Sequence, residues 1–574
     1  MMQKLELGDG LSADRMPALL ARFQADRSCL DRACPPPAYL RREEMLRRFL
    51  SECRQTLETL PFDELSHNDR VDWLLFRSLL DAEERRLQCD VEWFCAASES
   101  LLPFADDLIA LDDARRRLRE VEPEAAAQCL DRALGQIRHL RSTLRAGAVS
   151  PALAGQAARI AAEMRTMLAG WFAFYHGYDP SFDWWVERPY GALESALGEF
   201  AAFLRGHVAG ADSEDAILGV PLGREALVAE LAYVQIADTP EELIDAAHTE
   251  MAWCRSEMQR AAQEMGHGDD WRAALEHVKS SHVAPGEQPA LVRDLAREAI
   301  DYVEEHDLVT VPVLARECWR MEMMSPERQR INPFFLGGET IIVSFPTGDM
   351  DHARKRMSLR GNNRAFARAT VHHELIPGHH LQMFVQERSR PYRRLFETPF
   401  WTEGWTLHWE MLLWERGFAR TPEERIGMLF WRMHRCARVI FSLEFHLGRR
   451  TPAECVEMLV EEAGHERDNA LAEIRRSFEG DYHPLYQCAY LIGAWQMHTL
   501  YRDLVGGGRM SDREFHDAVL RENCMPISML RAVLTGMPLT ADGPPAWQVT
   551  PPPSPGARRE FVSTSRESPI RGVR

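Results

Sequence analysis

A chain of 574 residues with 45% apolar content can bury one large core or several, so it is globular, as one large domain or two to three fused ones, and neither fibrous nor disordered. Its 68 basic and 87 acidic side chains give a formal charge of −19, which opposes binding to a phosphate backbone, and no nucleic-acid partner is expected. No run of 18 or more apolar residues occurs and the first ten residues lack a basic segment followed by an apolar one; the expectation is a cytoplasmic protein without membrane contact.

From about residue 12 to 300 apolar residues recur at helical spacing, as in Trp73-Leu74-Leu75 with Leu79, and Leu227, Leu231 and Val234 one turn apart. Pro35-Pro36-Pro37, Pro61, Pro180 and Pro221 punctuate this half, and Thr239-Pro240-Glu241-Glu242 reads as an N-cap, a first-turn proline and acids suited to a helix start. Region 1–300 is therefore expected to be a helical array forming one side of a cleft. The β-branched stretches 308–311 and 340–345, with Gly337-Gly338 as a turn before the second, predict a small sheet. Helical periodicity resumes over 363–535, and 301–540 is the second expected region, the one that contains the histidine-rich segment. Seven of the 34 residues in 541–574 are proline, and that tail is expected to be disordered. The twelve cysteines form no CxxC pair and read as free thiols. The fold class is mainly α.

The segment Val371-His372-His373-Glu374-Leu375-Ile376-Pro377-Gly378-His379-His380 carries four histidines and one glutamate. A His-Glu pair alone means little: about one or two are expected by chance in such a chain, and His465-Glu466 is another. In a continuous HExxH helix the two histidines lie one turn apart on one face and reach the same ion. Here position 377 is proline, which removes a helical amide, and Gly378 can take a positive φ, so a two-residue bulge can return His379 to the face of His373. His380 shares that face on an ideal helix but lies about 10.5 Å along it, so His379 ranks above it as second ligand. His372, about 100° off the His373 direction, reads as a packed histidine.

A catalytic zinc site needs a third protein ligand. In Thr402-Glu403-Gly404-Trp405-Thr406-Leu407-His408-Trp409-Glu410 the two acids are seven apart on one helix face. One can face the metal while the other anchors a ligand histidine. The tryptophans around Glu403 imply burial, and a buried carboxylate needs a counter-charge. Trp401, Trp405, Trp409 and Trp414 read as core as readily as pocket. Arg438 reads as an ion-pair residue that could also hold a substrate carboxylate, and Glu462 with His465 reads as a surface pair.

Together, the string at 373–382, Thr402-Glu403-Gly404-Trp405, and the segments at 438–446, 484–493 and 515–531 resemble the bacterial domain-of-unknown-function family eight-eight-five, over most of the chain from residue 60 to about 535. Members are similar to gluzincin metallopeptidases, with a helical zincin-like fold. The resemblance implies His373, His379 and Glu403 as metal ligands, Glu374 as general base, and His446 and Tyr490 where a donor to the substrate carbonyl is expected. The function this implies is hydrolysis of short peptides by zinc-activated water, with other transition metals admissible in place of zinc. The strand at 340–345 would serve as an edge to which an extended peptide adds. Two other readings stay open: a metal-dependent enzyme acting on a small amide or non-peptide metabolite, and a non-catalytic metal-binding helical protein, which an intact Glu374 disfavours.

Overall fold

The computed structural model describes residues 15–210, 216–329, 334–479, 482–544 and 547–548. It is mainly helical, 72% helix against 2% strand. Helix starts follow the sequence signals. Thr239 caps the helix Pro240–Glu264 in a full capping box with Glu242, as the Thr-Pro-Glu-Glu string predicts. Thr398, Thr421 and Thr451 cap three later helices, each with proline in the first turn.

Helix α1 (His67–Ser100) serves two cores. Phe94 and Ala97 at its C-terminal end pack with α2 (Pro123–Thr143), α3 (Pro151–Tyr175) and α4 (Pro180–Phe203) around Leu130, Trp171 and Leu197. Val71, Leu75 and Phe76 at its N-terminal end belong to the main core, which also holds the helices beyond residue 360. A buried ion pair locks that junction: Arg393 Nε donates to Asp72 at 2.7 Å while its Nη1 donates to Glu522 at 2.7 Å, and Arg393 and Asp72 are fully buried. Such a pair orients its elements more than it stabilises them, because desolvation offsets the attraction.

The sheet has two parallel strands, β1 (Arg320–Met323) and β2 (Thr340–Val343). β2 is where the sequence predicts a strand; 308–311 is not one. Leu308 and Val309 are buried in non-repetitive chain, with the Leu308 carbonyl accepting from His516 and the Thr310 amide donating to Asp517. β-propensity at that point is satisfied by side-chain partners in place of a ladder. Nor is β2 a free edge: β1 pairs on one side, and Leu336 exchanges two backbone hydrogen bonds of 2.8 and 3.0 Å with Ile342 on the other. No room remains along Ile342 for strand addition by a peptide.

β2 positions the helix that follows. Ile341 and Val343 pack on Ala367, Val371 and Leu375, one stripe of α5 (Arg364–Glu374), so the neighbouring His373 and Glu374 turn elsewhere. Beyond it come α6 (His379–Gln386), α7 (Pro399–Glu415), α8 (Pro422–His446), α9 (Arg467–Glu479) and α10 (Tyr486–Tyr501). α7 and α10 cross backbone on backbone at Gly404 and Gly493, where a Cβ on Gly404 would lie 2.7 Å from the Gly493 carbonyl carbon. Trp401, Trp405 and Trp409 are fully buried core residues.

All twelve cysteines are free thiols. Among the described residues no helix is long and apolar enough to cross a membrane. Most of the tail 541–574 lies outside the described residues; within it Trp547 bridges to Ile236 and sits under Arg531. At the glycine crossing, Gly404→Ala is expected to force the two helices apart, lowering stability by about 1–3 kcal/mol in chemical denaturation. An unchanged midpoint would show that the crossing tolerates a methyl group.

Candidate metal centre

The helical path breaks between Glu374 and His379. The Gly378 amide donates back to the His372 carbonyl and the His380 amide to the Leu375 carbonyl, both at 3.0 Å, so the chain folds onto the end of α5. Trp405 Nε1 pins the turn by donating to the Pro377 carbonyl at 2.9 Å. The turn does what the sequence predicts, though for a different reason at Gly378. Its φ is −78°, not positive; glycine is needed because a Cβ would overlap the His373 carbonyl.

The returned chain brings His379 against His373, with ring centroids 5.0 Å apart. Nε2 of His373 and Nε2 of His379 lie 3.6 and 3.2 Å from Glu403 Oε2. Among the described residues that buried oxygen has no hydrogen-bond partner of acceptable geometry. One ligand atom from each of the three residues falls within 4.8 Å of the others, and this is the one such group of three found among the described residues. Two imidazole nitrogens gathered around an otherwise unpartnered buried carboxylate oxygen fit a divalent transition metal.

The supporting contacts are equally specific. Glu410 accepts from His373 Nδ1 at 2.7 Å, which leaves Nε2 facing Glu403; it is the anchoring acid expected from the seven-residue spacing. Tyr486 donates to Glu403 Oε1 at 2.5 Å, aiming the other oxygen at the histidines. Burial alone would depress the His373 imidazolium, but Glu403 and Glu410 prevail and raise its pKa to about 9. Burial likewise opposes a charged Glu403, and the two histidines hold it ionised, well below the usual carboxylate range.

Glu374 lines the same cavity, of about 500 Å³, with its pKa raised by burial against the opposing pull of His373 and His379. Gly337 passes so close that a Cβ would strike its carboxylate. Tyr490 also lines the cavity, its ring nearly parallel to His373 at 6.2 Å. His446 does not line it, and its expected place beside the substrate carbonyl is corrected. Its Nδ1 accepts from the Leu222 amide at 3.3 Å and the Pro484 backbone takes up the ring's remaining hydrogen bonding, so it braces a loop; burial pushes its pKa down to about 4. The pocket's other histidine is His483, paired with Glu230 at 2.7 Å. His372 is a packed histidine, as expected, its Nδ1 donating to the Arg368 carbonyl at 2.8 Å. His380 sits outside the trio, between the carbonyls of Gly338 and Ala315. His465 is buried against His434 at 4.7 Å, so the expected surface pair with Glu462 does not form. Tyr486 and Arg435 went unremarked in the sequence, although each sits one helical turn before a residue singled out there, Tyr490 and Arg438.

A mainly helical fold with a buried His-His-Glu trio and an adjacent glutamate is the class these features define. The chain belongs to the bacterial family described as proteins of unknown function, DUF885, whose model matches residues 26–534. No curated protein matches. Two solved structures share the fold. One, from Shewanella oneidensis, is 16% identical with a TM-score of 0.67, covering 91% of this chain and all of its own. The other, from Colwellia psychrerythraea, is 14% identical with a TM-score of 0.58, covering 92% of this chain and 99% of its own. Both are described as candidate lipoproteins, the first as one of unknown function, and on that finding the cytoplasmic expectation is withdrawn.

Two outcomes test the site. Gly378→Ala is expected to abolish stoichiometric zinc binding, measured by metal analysis after gel filtration, with every ligand side chain still present. Because His373 holds a proton below about pH 9 and a ligand nitrogen must be free of it, zinc binding is expected to release protons and to tighten as pH rises towards 9. Calorimetry in buffers of differing ionisation enthalpy reads the proton count; zinc uptake without proton release would contradict the protonated His373.

Proposed function

We propose that this chain is a zinc-dependent peptidase of gluzincin type, with a zincin-like fold, acting on short peptides. The observation that carries the reading is the convergence of His373, His379 and Glu403 in a cavity whose wall also presents Glu374. A zinc ion held by these three residues would act as a Lewis acid towards an amide carbonyl and towards water; another divalent transition metal could serve. Glu374, directly after a ligand and buried, is suited to take a proton on its carboxylate and return it to the departing amide nitrogen, since its raised pKa lies nearer neutrality than that of an exposed glutamate. Tyr490 is the cavity residue proposed to donate to the carbonyl oxygen. Glu410 and Tyr486 fix the orientation of His373 and Glu403. An envelope setting is part of the proposal, supported by the lipoprotein descriptions of the two similar structures.

The test is hydrolysis of a mixed short-peptide library by zinc-loaded protein, abolished by a chelator and restored by zinc. Glu374→Gln is expected to retain zinc while turnover falls by about 10²-fold or more. Glu403→Gln is expected to lose zinc affinity instead. Equal zinc loss in both variants would refute the division between ligand and base.

A further inference from the structure

Three buried arginines line the cavity that holds the candidate metal ligands, beside the exposed Arg328: Arg435 and Arg438, one turn apart on α8, and Arg476 from α9. These three are more than nine-tenths buried. The guanidinium carbons of Arg435 and Arg438 lie 4.6 and 4.5 Å from the centre of the Tyr490 ring, and that ring is stacked 6.2 Å from His373. One aromatic ring thus separates these two cations from a metal ligand. Arg476 lies 4.7 Å over Tyr482 and 5.9 Å over Tyr486, the tyrosine that holds Glu403.

Counter-charge is short here. Glu473 accepts from Arg438 Nε at 2.7 Å and also feels Arg476. Glu410 lies 3.6 Å from Arg435 but is shared with His373. Glu374 also feels Arg435 but is shared with His373 and His379, and among the described residues Arg435 Nε, Arg438 Nη1 and Arg476 Nε are buried with no hydrogen-bond partner. Buried donors on cations are costly when unpaired, and the guanidinium fork matches a carboxylate.

The geometry points to a carboxylate subsite, formed by Arg435, Arg438 and Arg476, that takes the free C-terminal carboxylate of a peptide whose last or penultimate amide lies at the His373–His379–Glu403 site. Successive residues of an extended chain are about 3.3–3.6 Å apart, so a gap of one ring accommodates one or two residues beyond the scissile bond. The substrate part of this inference rests on the peptidase reading; the ligand chemistry does not. It makes the protein a peptidase that acts from the C-terminus and explains why a cavity of this size need not pass a long chain.

The experiment uses three N-acetylated tripeptides: one with a free C-terminus, the same peptide as its C-terminal amide, and an amide ending in glutamate. Each is assayed for cleavage by the zinc-loaded protein and for binding, by calorimetry, to zinc-loaded Glu374→Gln. The free acid is expected to be cleaved with a kcat/KM about 10²-fold or more above its amide, and Arg435→Gln and Arg476→Gln are expected to bring the two within about threefold. Equal cleavage and equal binding of acid and amide would overturn the subsite while leaving the peptidase reading in place. Tenfold tighter binding of the acid with no cleavage of any peptide would support the subsite and defeat the peptidase reading. Binding of the glutamate amide as tightly as the free acid would overturn the assignment to the C-terminus. If either arginine variant fails to fold, the comparison of acid with amide on the parent protein still decides.

Discussion

Glu403 is a carboxylate 3% exposed, two residues from the buried Trp401 and Trp405 on its helix, and it stays ionised because two histidines face one oxygen while Tyr486 donates to the other. Much of the surrounding architecture follows from holding it there. His379 can face it because the chain folds back at Gly378, and that turn is pinned by Trp405, two residues from Glu403 on the same helix. Tyr486 can reach it because Gly404 and Gly493 let α7 and α10 touch backbone to backbone. His373 presents Nε2 because Glu410, two turns along from Glu403, occupies Nδ1. A single buried charge thus recruits groups from four helices, and each contact compensates part of its desolvation.

The cavity's electrostatics run against those of the chain as a whole. A protein of net charge −19 concentrates three buried guanidiniums on the cavity wall, against tyrosine rings and carboxylates shared with the histidines. Global charge describes the solvated surface; recognition depends on charges withdrawn from water, where attraction is weakly screened. The cavity accordingly gathers a His-His-Glu trio at one end and buried guanidiniums near Tyr490 at the other.

Some of this was legible in the residues. The four histidines around a Pro-Gly break pointed to a chain that folds His379 back onto His373, the seven-residue spacing of Glu403 and Glu410 to two acids facing His373, and the Thr-Pro starts to helix boundaries. Other features were not. His446 belongs to a segment that matches the family, yet its ring is spent on the loop at Leu222, more than 200 residues away in sequence. The stretch at 308–311 has β-branched residues but finds its hydrogen-bond partners in His516 and Asp517, and β1 has the unpromising sequence Arg-Met-Glu-Met. His465 looks like a polar surface residue and is buried beside His434.

The difference has a physical origin. Sequence alone determined what local chemistry controls: helix starts, the break after Glu374, the face shared by Glu403 and Glu410, and the residue types able to bind a metal. Tertiary structure decided which of those residues meet, because convergence of His373, His379 and Glu403, the exclusion of His446, and the gathering of Arg435, Arg438 and Arg476 on one wall depend on how separate helices pack. Periodicity specifies the direction of a side chain about its own axis and leaves unspecified the helix that will face it. The close crossing of α7 and α10 at two glycines supplies that missing relation here, and no periodic signal in either helix announces it.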